Sequence, residues 1–200
     1  ARLELMEQVC LAVQHAHQRG VIHRDLKPGN ILAAEIDGGP VAKVIDFGIA
    51  KAVEQDASPA LTLETQIVGT PQYMSPEQAT LGARTVDTRS DVYCLGAVMY
   101  ELITGAPPFD PEELEQRNVE DICRMIREVV PVRPSMRASK TEGSSRELAG
   151  EIDWMVMKAL EKEPLRRYQS AAELAADIRR HLEHRPILAV PPTRLYQVRK

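Results

Sequence analysis

The stretch VIHRDLKPGN, residues 21 to 30, places Asp25, Lys27 and Asn30 within one short loop. A carboxylate, an ammonium and an amide at this spacing suit phosphoryl transfer to a hydroxyl. The carboxylate orients the hydroxyl and accepts its proton, the cation neutralises charge on the phosphoryl oxygens, and the amide oxygen ligates magnesium. On this reading Asp25 is the base, Lys27 the cation and Asn30 one metal ligand. Asp46, in IDFG, is the second ligand, and Gly48 lets the chain turn sharply behind it. The plainer readings, Asp25 as a turn residue and Lys27 as a solvated cation, fit either residue alone but not the set.

These residues need elements to hold them. From Leu5 onward Met6, Val9, Cys10, Ala12, Val13 and Ala16 recur at helical spacing, and Gly20 follows as a stop, so an amphipathic helix leads into the loop. His15 and His17 are helix-face residues on this pattern rather than ligands. NILAAEI and VAKVIDF are rich in branched residues and flank DGGP, which predicts a hairpin whose strand ends carry the reactive residues. Residues 52 to 75 are polar, rich in Thr and Pro, and too long for an ordinary connection, which predicts a functional or mobile segment.

Further along, DVYCLGAVMYELIT (Asp91 to Thr104) is apolar on nearly every face and predicts a helix at the centre of a helical fold. EDICRMIREV, the helix beginning near Glu151 and SAAELAADIRRHL show three-to-four spacing, with Ser170 as the cap of the last. Pro131 and Pro134 separate two of these helices. The end, HRPILAVPPTRLYQVRK, is punctuated by Pro and basic, and reads as an exit from the domain.

Composition sets the bounds. The 200 residues, 44% apolar, can bury one core. Basic and acidic residues number 25 and 29, for a net charge of −4, so charge gives no ground for nucleic acid or an anionic membrane as partner. Cys10, Cys94 and Cys123 lie far apart without metal-ligand spacing, which disfavours a disulfide framework and suits a reducing compartment. No apolar run approaches the ~18 residues of a membrane span, and ARLELMEQ resembles neither a signal nor a transit peptide. The chain begins with Ala rather than Met, a first hint of a fragment, although processing could also remove a Met.

His23-Arg24-Asp25 with Lys27, Asn30 and Asp46-Phe47-Gly48 resembles the catalytic loop and metal-binding motif of eukaryotic-type protein kinases. The likeness runs on to residue 180. GTPQYMSPEQ resembles the end of the activation segment, with Ser75-Pro76-Glu77 for the usual Ala-Pro-Glu. Asp91 matches the family's buried Asp that anchors the catalytic loop, and Arg167 in PLRRY matches the Arg that pairs with the motif's Glu, here Glu77. The resemblance makes His23 and Phe47 packing members of a spine and Leu32 the floor of an adenine pocket. Lys27 and Thr70 resemble the serine/threonine class, and the wording HRDLKPGNIL and RRYQSAAELAADI is most similar to its bacterial members. Arg24 beside the base implies regulation by phosphorylation, with Lys51 a second cation, Thr62 and Thr65 the candidate sites, and Thr70 a contact to the catalytic loop.

What the resemblance implies is therefore a mainly α fold. It is the large helical lobe of a kinase, residues 1 to 185, with a short β-hairpin carrying the catalytic and DFG loops, and residues 186 to 200 form the exit segment. The parent fold is α+β. The implied cofactors are ATP and Mg2+, or Mn2+ in its place, and the implied partners are protein substrates with Ser or Thr and a second kinase copy for activation-loop phosphorylation. No nucleic acid and no membrane segment are expected in this chain, and the location is cytoplasmic, with a membrane anchor elsewhere in bacterial members. Nothing like GxGxxG or VAIK precedes residue 21, so the small lobe that covers the nucleotide is expected upstream of Ala1. Two alternatives stand beside this: a non-catalytic module docking partners between the helices near 120 and 150, and a small-molecule phosphotransferase of the aminoglycoside type. Asn30 and Asp46 weigh against the first; Thr70, the SPE motif and Arg167 weigh against the second.

Overall fold

The computed structural model describes residues 2–36, 38–47, 70–80, 86–138 and 150–189. Helix α1 (Arg2–His17) buries Met6, Val9, Cys10 and Val13 along one stripe, as their spacing demands. It is followed by Gly20 at φ 75°, a left-handed conformation that a residue without Cβ adopts freely. After the loop and a 3-10 turn at Pro28–Asn30, strands β1 (Ile31–Ile36) and β2 (Gly39–Val44) pair antiparallel. The turn is tighter than DGGP suggests, because Gly39 and Pro40 already pair with Ile36 and Glu35.

The hairpin packs on α1 and is hydrogen-bonded to it by the Gln8 side chain. Gln8 donates to the Pro40 carbonyl and accepts from the Ala42 amide, each at 2.9 Å, which supplies partners to an otherwise open strand edge. Ile31, Ala42 and Val44 alternate toward the core, while Leu32, Ile36 and Val41 alternate outward and stay exposed.

The axis of the core is α2 (Thr88–Thr104), in which every residue from Ser90 to Tyr100 is buried. Asp87 caps its start by accepting from the Arg89 amide, and Gly105 at φ 78° closes its end onto the Glu101 carbonyl. Gly96 lets the neighbouring helix α6 (Glu151–Ala159) come close: a Cβ there would lie 2.7 Å from that of Ala159. Around α2 pack α1, α6 and α7 (Ala171–Leu182), the last capped by Ser170 as its sequence predicts. A second apolar cluster joins Met74, Phe109, Leu114, Ile122 and Ile126 from α3 (Pro111–Glu115), α4 (Val119–Glu128) and the loops beside them. Helix α5 (Pro134–Ala138) follows Pro131, its Ser135 amide and hydroxyl both donating to buried Asp153.

Packing reaches past the boundary expected at 185. Ile187 is buried, and the amides of Leu188 and Ala189 donate to the carboxylate of fully buried Asp177 at 2.8 and 2.9 Å. Tyr168 donates its hydroxyl to the same group. Cys10, Cys94 and Cys123 are all buried free thiols, and among the described residues no helix is long and apolar enough to cross a membrane.

Candidate active site

The loop after α1 is shaped by a carboxylate from the core. Asp91, fully buried in the first turn of α2, accepts from the His23 amide at 2.8 Å and the Arg24 amide at 2.9 Å. Nε2 of His17 meets the same carboxylate at 2.7 Å and, facing a carboxylate, is the donor. Held in this way, Arg24 takes a φ of 65°, a strained left-handed turn for a residue with a side chain. Asp25 comes next in the chain. Its carboxylate lies 3.0 Å from the Lys27 ammonium, which also reaches the Thr70 hydroxyl at 3.3 Å. Asn30 donates its amide nitrogen to the Asp25 carbonyl at 2.8 Å and to the Asp25 carboxylate at 3.3 Å. The four side chains thus form one contact network.

Asp46 is brought to this corner by the hairpin. The Ile45 amide donates to the Asn30 carbonyl at 3.0 Å, so the backbones carrying Asn30 and Asp46 run side by side. His23 reinforces the link: its Nε2 faces the Ile45 carbonyl at 3.0 Å and must donate, which leaves Nδ1 to accept from the Asp25 amide at 3.3 Å. The imidazole therefore braces both loops in one tautomer, and its ring packs on Phe47 at 4.8 Å. Asp46 itself has φ 56°, and its side chain is exposed.

The end of the activation segment is bolted to the helical core. Glu77 accepts from Arg167 through two bonds, at 2.6 and 2.8 Å, and from the Ser90 hydroxyl at 2.7 Å. Burial by itself would raise the Glu77 carboxyl; the bonds and charge of Arg167, with the Ser90 bond, outweigh it and hold the group below its usual range. Tyr73 donates to Glu101 of α2, and its phenol is pushed up by burial first and by that carboxylate second.

Of the residues singled out in the sequence, Asp25, Lys27, Asn30, Asp46, Thr70, His23 and Phe47 gather at the loop, with Asp91, Glu77 and Arg167 beneath and beside it. Arg24 is half-buried, and Leu32 sits opposite Lys43 on the outer face of the hairpin, 52% exposed. Gly48, Lys51, Thr62 and Thr65 lie outside the described residues. Two residues escaped the sequence reading. His17 was expected to be a mere helix-face residue, but it is the third donor to Asp91. Gln78 donates to the Arg24 carbonyl at 2.7 Å. Neither had a signal in the sequence, since each partner is more than fifty residues away.

This arrangement has relatives. The protein kinase domain family matches residues 2–181. The serine/threonine-protein kinase PknB of Mycolicibacterium smegmatis is 43% identical over 176 residues, covering 88% of this chain, and that of Mycobacterium leprae is 44% identical over the same length. The chain spans about a quarter of the length of these relatives, 25% of each. A solved structure of the Mycobacterium tuberculosis PknI kinase domain superposes with a TM-score of 0.58 at 26% identity, over 89% of this chain and 54% of that one. Sequence and fold agree: the chain belongs to the protein kinase family, in its bacterial serine/threonine branch, and comprises a part of the kinase fold.

Proposed function

We propose that this chain is the large lobe of a serine/threonine protein kinase that transfers the γ-phosphate of ATP to Ser or Thr hydroxyls of proteins. The observation that carries the reading is the convergence of Asp25, Lys27, Asn30 and Thr70 in one hydrogen-bonded network. Asp25 orients the acceptor hydroxyl and takes its proton as the oxygen bonds to phosphorus and the bond to the departing ADP breaks. Lys27, already beside Asp25, faces the charge on the transferred group. Family membership implies use of ATP and a divalent metal in general.

The donors present fit magnesium. Asn30 commits its amide nitrogen to Asp25, which leaves the amide oxygen as its ligating atom, and Asp46 offers a carboxylate. Among the described residues no cluster of three or more His, Cys, Asp or Glu could enclose a metal. Two protein oxygens suit an ion that keeps waters and binds substrate phosphates. When bound, the metal neutralises phosphate charge and orients the phosphates for in-line transfer.

A small lobe preceding Ala1 supplies the remaining nucleotide contacts in this proposal, and Leu32 forms the floor of the adenine site. A second copy phosphorylates Thr62 or Thr65, with Arg24 and Lys51 receiving the phosphate. The catalytic part works in the cytoplasm. The test is phosphate transfer to a generic acceptor protein by the full-length protein beside its Asp25→Asn variant. Transfer that Asp25→Asn abolishes supports the reading, and equal activity in both refutes it. Residues 1 to 200 alone are expected to bind ATP weakly and not to turn over.

The non-catalytic and small-molecule alternatives are not favoured by the family or by the serine/threonine relatives.

A further inference from the structure

We propose that Gln78 is a positioning residue that ties the activation-segment end to the catalytic loop and so sets the placement of Asp25. The inference rests on the kinase function proposed above.

Ser75-Pro76-Glu77-Gln78 forms a capped turn. The Ser75 amide donates to the Gln78 side-chain oxygen at 3.0 Å, the Gln78 amide approaches the Ser75 hydroxyl at 3.4 Å, and the Ala79 amide closes the turn onto the Ser75 carbonyl. This is a capping box, in which Glu serves as well as Gln, because only an acceptor is asked of the side chain. Gln78 does something Glu cannot. Its amide nitrogen crosses to the Arg24 carbonyl at 2.7 Å. The orientation of the amide is fixed by its neighbours: flipping it would set its oxygen against the Arg24 carbonyl and its NH2 group against the Ser75 amide.

The acceptor is the residue under strain. Arg24 holds its left-handed backbone between two side chains, Asp91 on its amide and Gln78 on its carbonyl. Asp91 fixes one end to the core of α2. Gln78 fixes the other to the turn that Arg167 clamps through Glu77. Any shift of that turn is passed to the peptide that leads into Asp25. The segment thus grips the loop twice, at Lys27 through Thr70 and at Arg24 through Gln78.

The test compares wild type, Gln78→Glu, Gln78→Met and Asp25→Asn in the full-length protein, reading kcat, KM for ATP, thermal midpoint and amide exchange of residues 24 and 25. Gln78→Glu keeps the capping box but sets a carboxylate oxygen against the Arg24 carbonyl in place of the bond, so kcat should fall about tenfold or more with KM for ATP within about twofold. Exchange at residues 24 and 25 should speed up, and the fall in kcat should persist at temperatures well below the thermal midpoint. Gln78→Met fills the space with neither bond and should lose at least as much kcat. A kcat within about twofold of wild type in both variants overturns the positioning role and leaves the kinase reading intact. A loss of activity that tracks the thermal midpoint and recovers on cooling also overturns it, since that marks a merely structural residue. Wild type no more active than Asp25→Asn overturns the kinase reading, and this inference with it.

Discussion

Arg167 and Glu77, ninety residues apart in the chain, meet through two parallel hydrogen bonds, with Arg167 only 2% exposed. The remaining donors of Arg167 go to the carbonyls of Glu161, Arg89 and Lys162, so all five N–H groups have acceptors. The guanidinium also lies over the Tyr93 ring at 5.1 Å. Arg167→Ala leaves the Glu77 carboxylate only the Ser90 hydroxyl and takes a donor from the carbonyls of Glu161, Arg89 and Lys162, and should cost about 3–5 kcal/mol in a denaturant melt. Arg167→Lys should recover less than half of that, because an ammonium cannot form the two-pronged pair. A loss under about 1 kcal/mol for Arg167→Ala would show that the pair is dispensable.

His17 belongs to the same framework at the other end of the loop. His17→Phe keeps the ring volume and removes the donor to Asp91, so stability should fall by about 1–3 kcal/mol. The amides of His23 and Arg24 should then exchange faster in hydrogen-exchange measurements. Unchanged protection at both amides would contradict the bracing role.

The approach of α2 to α6 makes Gly96 sensitive. Gly96→Ala places a methyl 2.7 Å from the Ala159 Cβ and 3.3 Å from its backbone carbon, so the helices must part. The expected loss is about 1–3 kcal/mol despite the better helix propensity of Ala. Ala159→Gly added to Gly96→Ala should give part of it back in a double-mutant cycle, and strict additivity of the two losses would refute a direct clash.

Asp46→Ala should abolish metal-dependent phosphate transfer in the full-length protein with the melting curve unchanged. Its exposed side chain has no part in the core, so a large stability loss would point instead to a structural role.

The pH response has two signed contributions. Lys162 donates to the Ile126 carbonyl at 2.6 Å beside Arg167 and the rings of Tyr93 and Phe109; burial first, then the Arg167 charge, pushes it down to about 8. Between that value and the ordinary one of an unfolded Lys, the unfolded chain binds the extra proton, so this group makes stability rise with pH there. Glu77 is held below its unfolded value, so its contribution is present above that value and is lost as pH falls through the folded one. Lys162→Met should flatten the alkaline limb of stability against pH, and Glu77→Gln should flatten the acid limb. An alkaline limb identical in wild type and Lys162→Met would remove Lys162 from the account.

The helices with full turns and the hairpin were readable because burial repeats at 3.6 or 2 residues, as in Met6, Val9 and Val13 or in the alternation of Ile31 and Leu32. Helices α3 and α5 were not, since five residues are too few for a period, and each begins at a Pro that reads as a break. The reactive loop was readable because its residues are close in sequence. What sets its shape was less so. Periodicity places His17 on a face of α1 but says nothing of what covers that face, and Gln78 looks like any capping-box residue until Arg24 stands opposite. The packing of Ile187 to Ala189 was hidden by the prolines around it, whereas its cause, Asp177, sits inside a helix that reads as ordinary.

That carboxylate has a mechanical consequence. Tension applied to the chain beyond Ala189 meets the two backbone bonds to Asp177 before it reaches the turns of α7. Helix α7 lies along α1, joined by Arg179 to Glu7 and by the Ala172 amide to Gln14, and α1 feeds directly into the catalytic loop. Asp177 therefore sets where the chain leaves α7: Leu188 and Ala189 are held to a buried carboxylate of the helix, not only to its last turn.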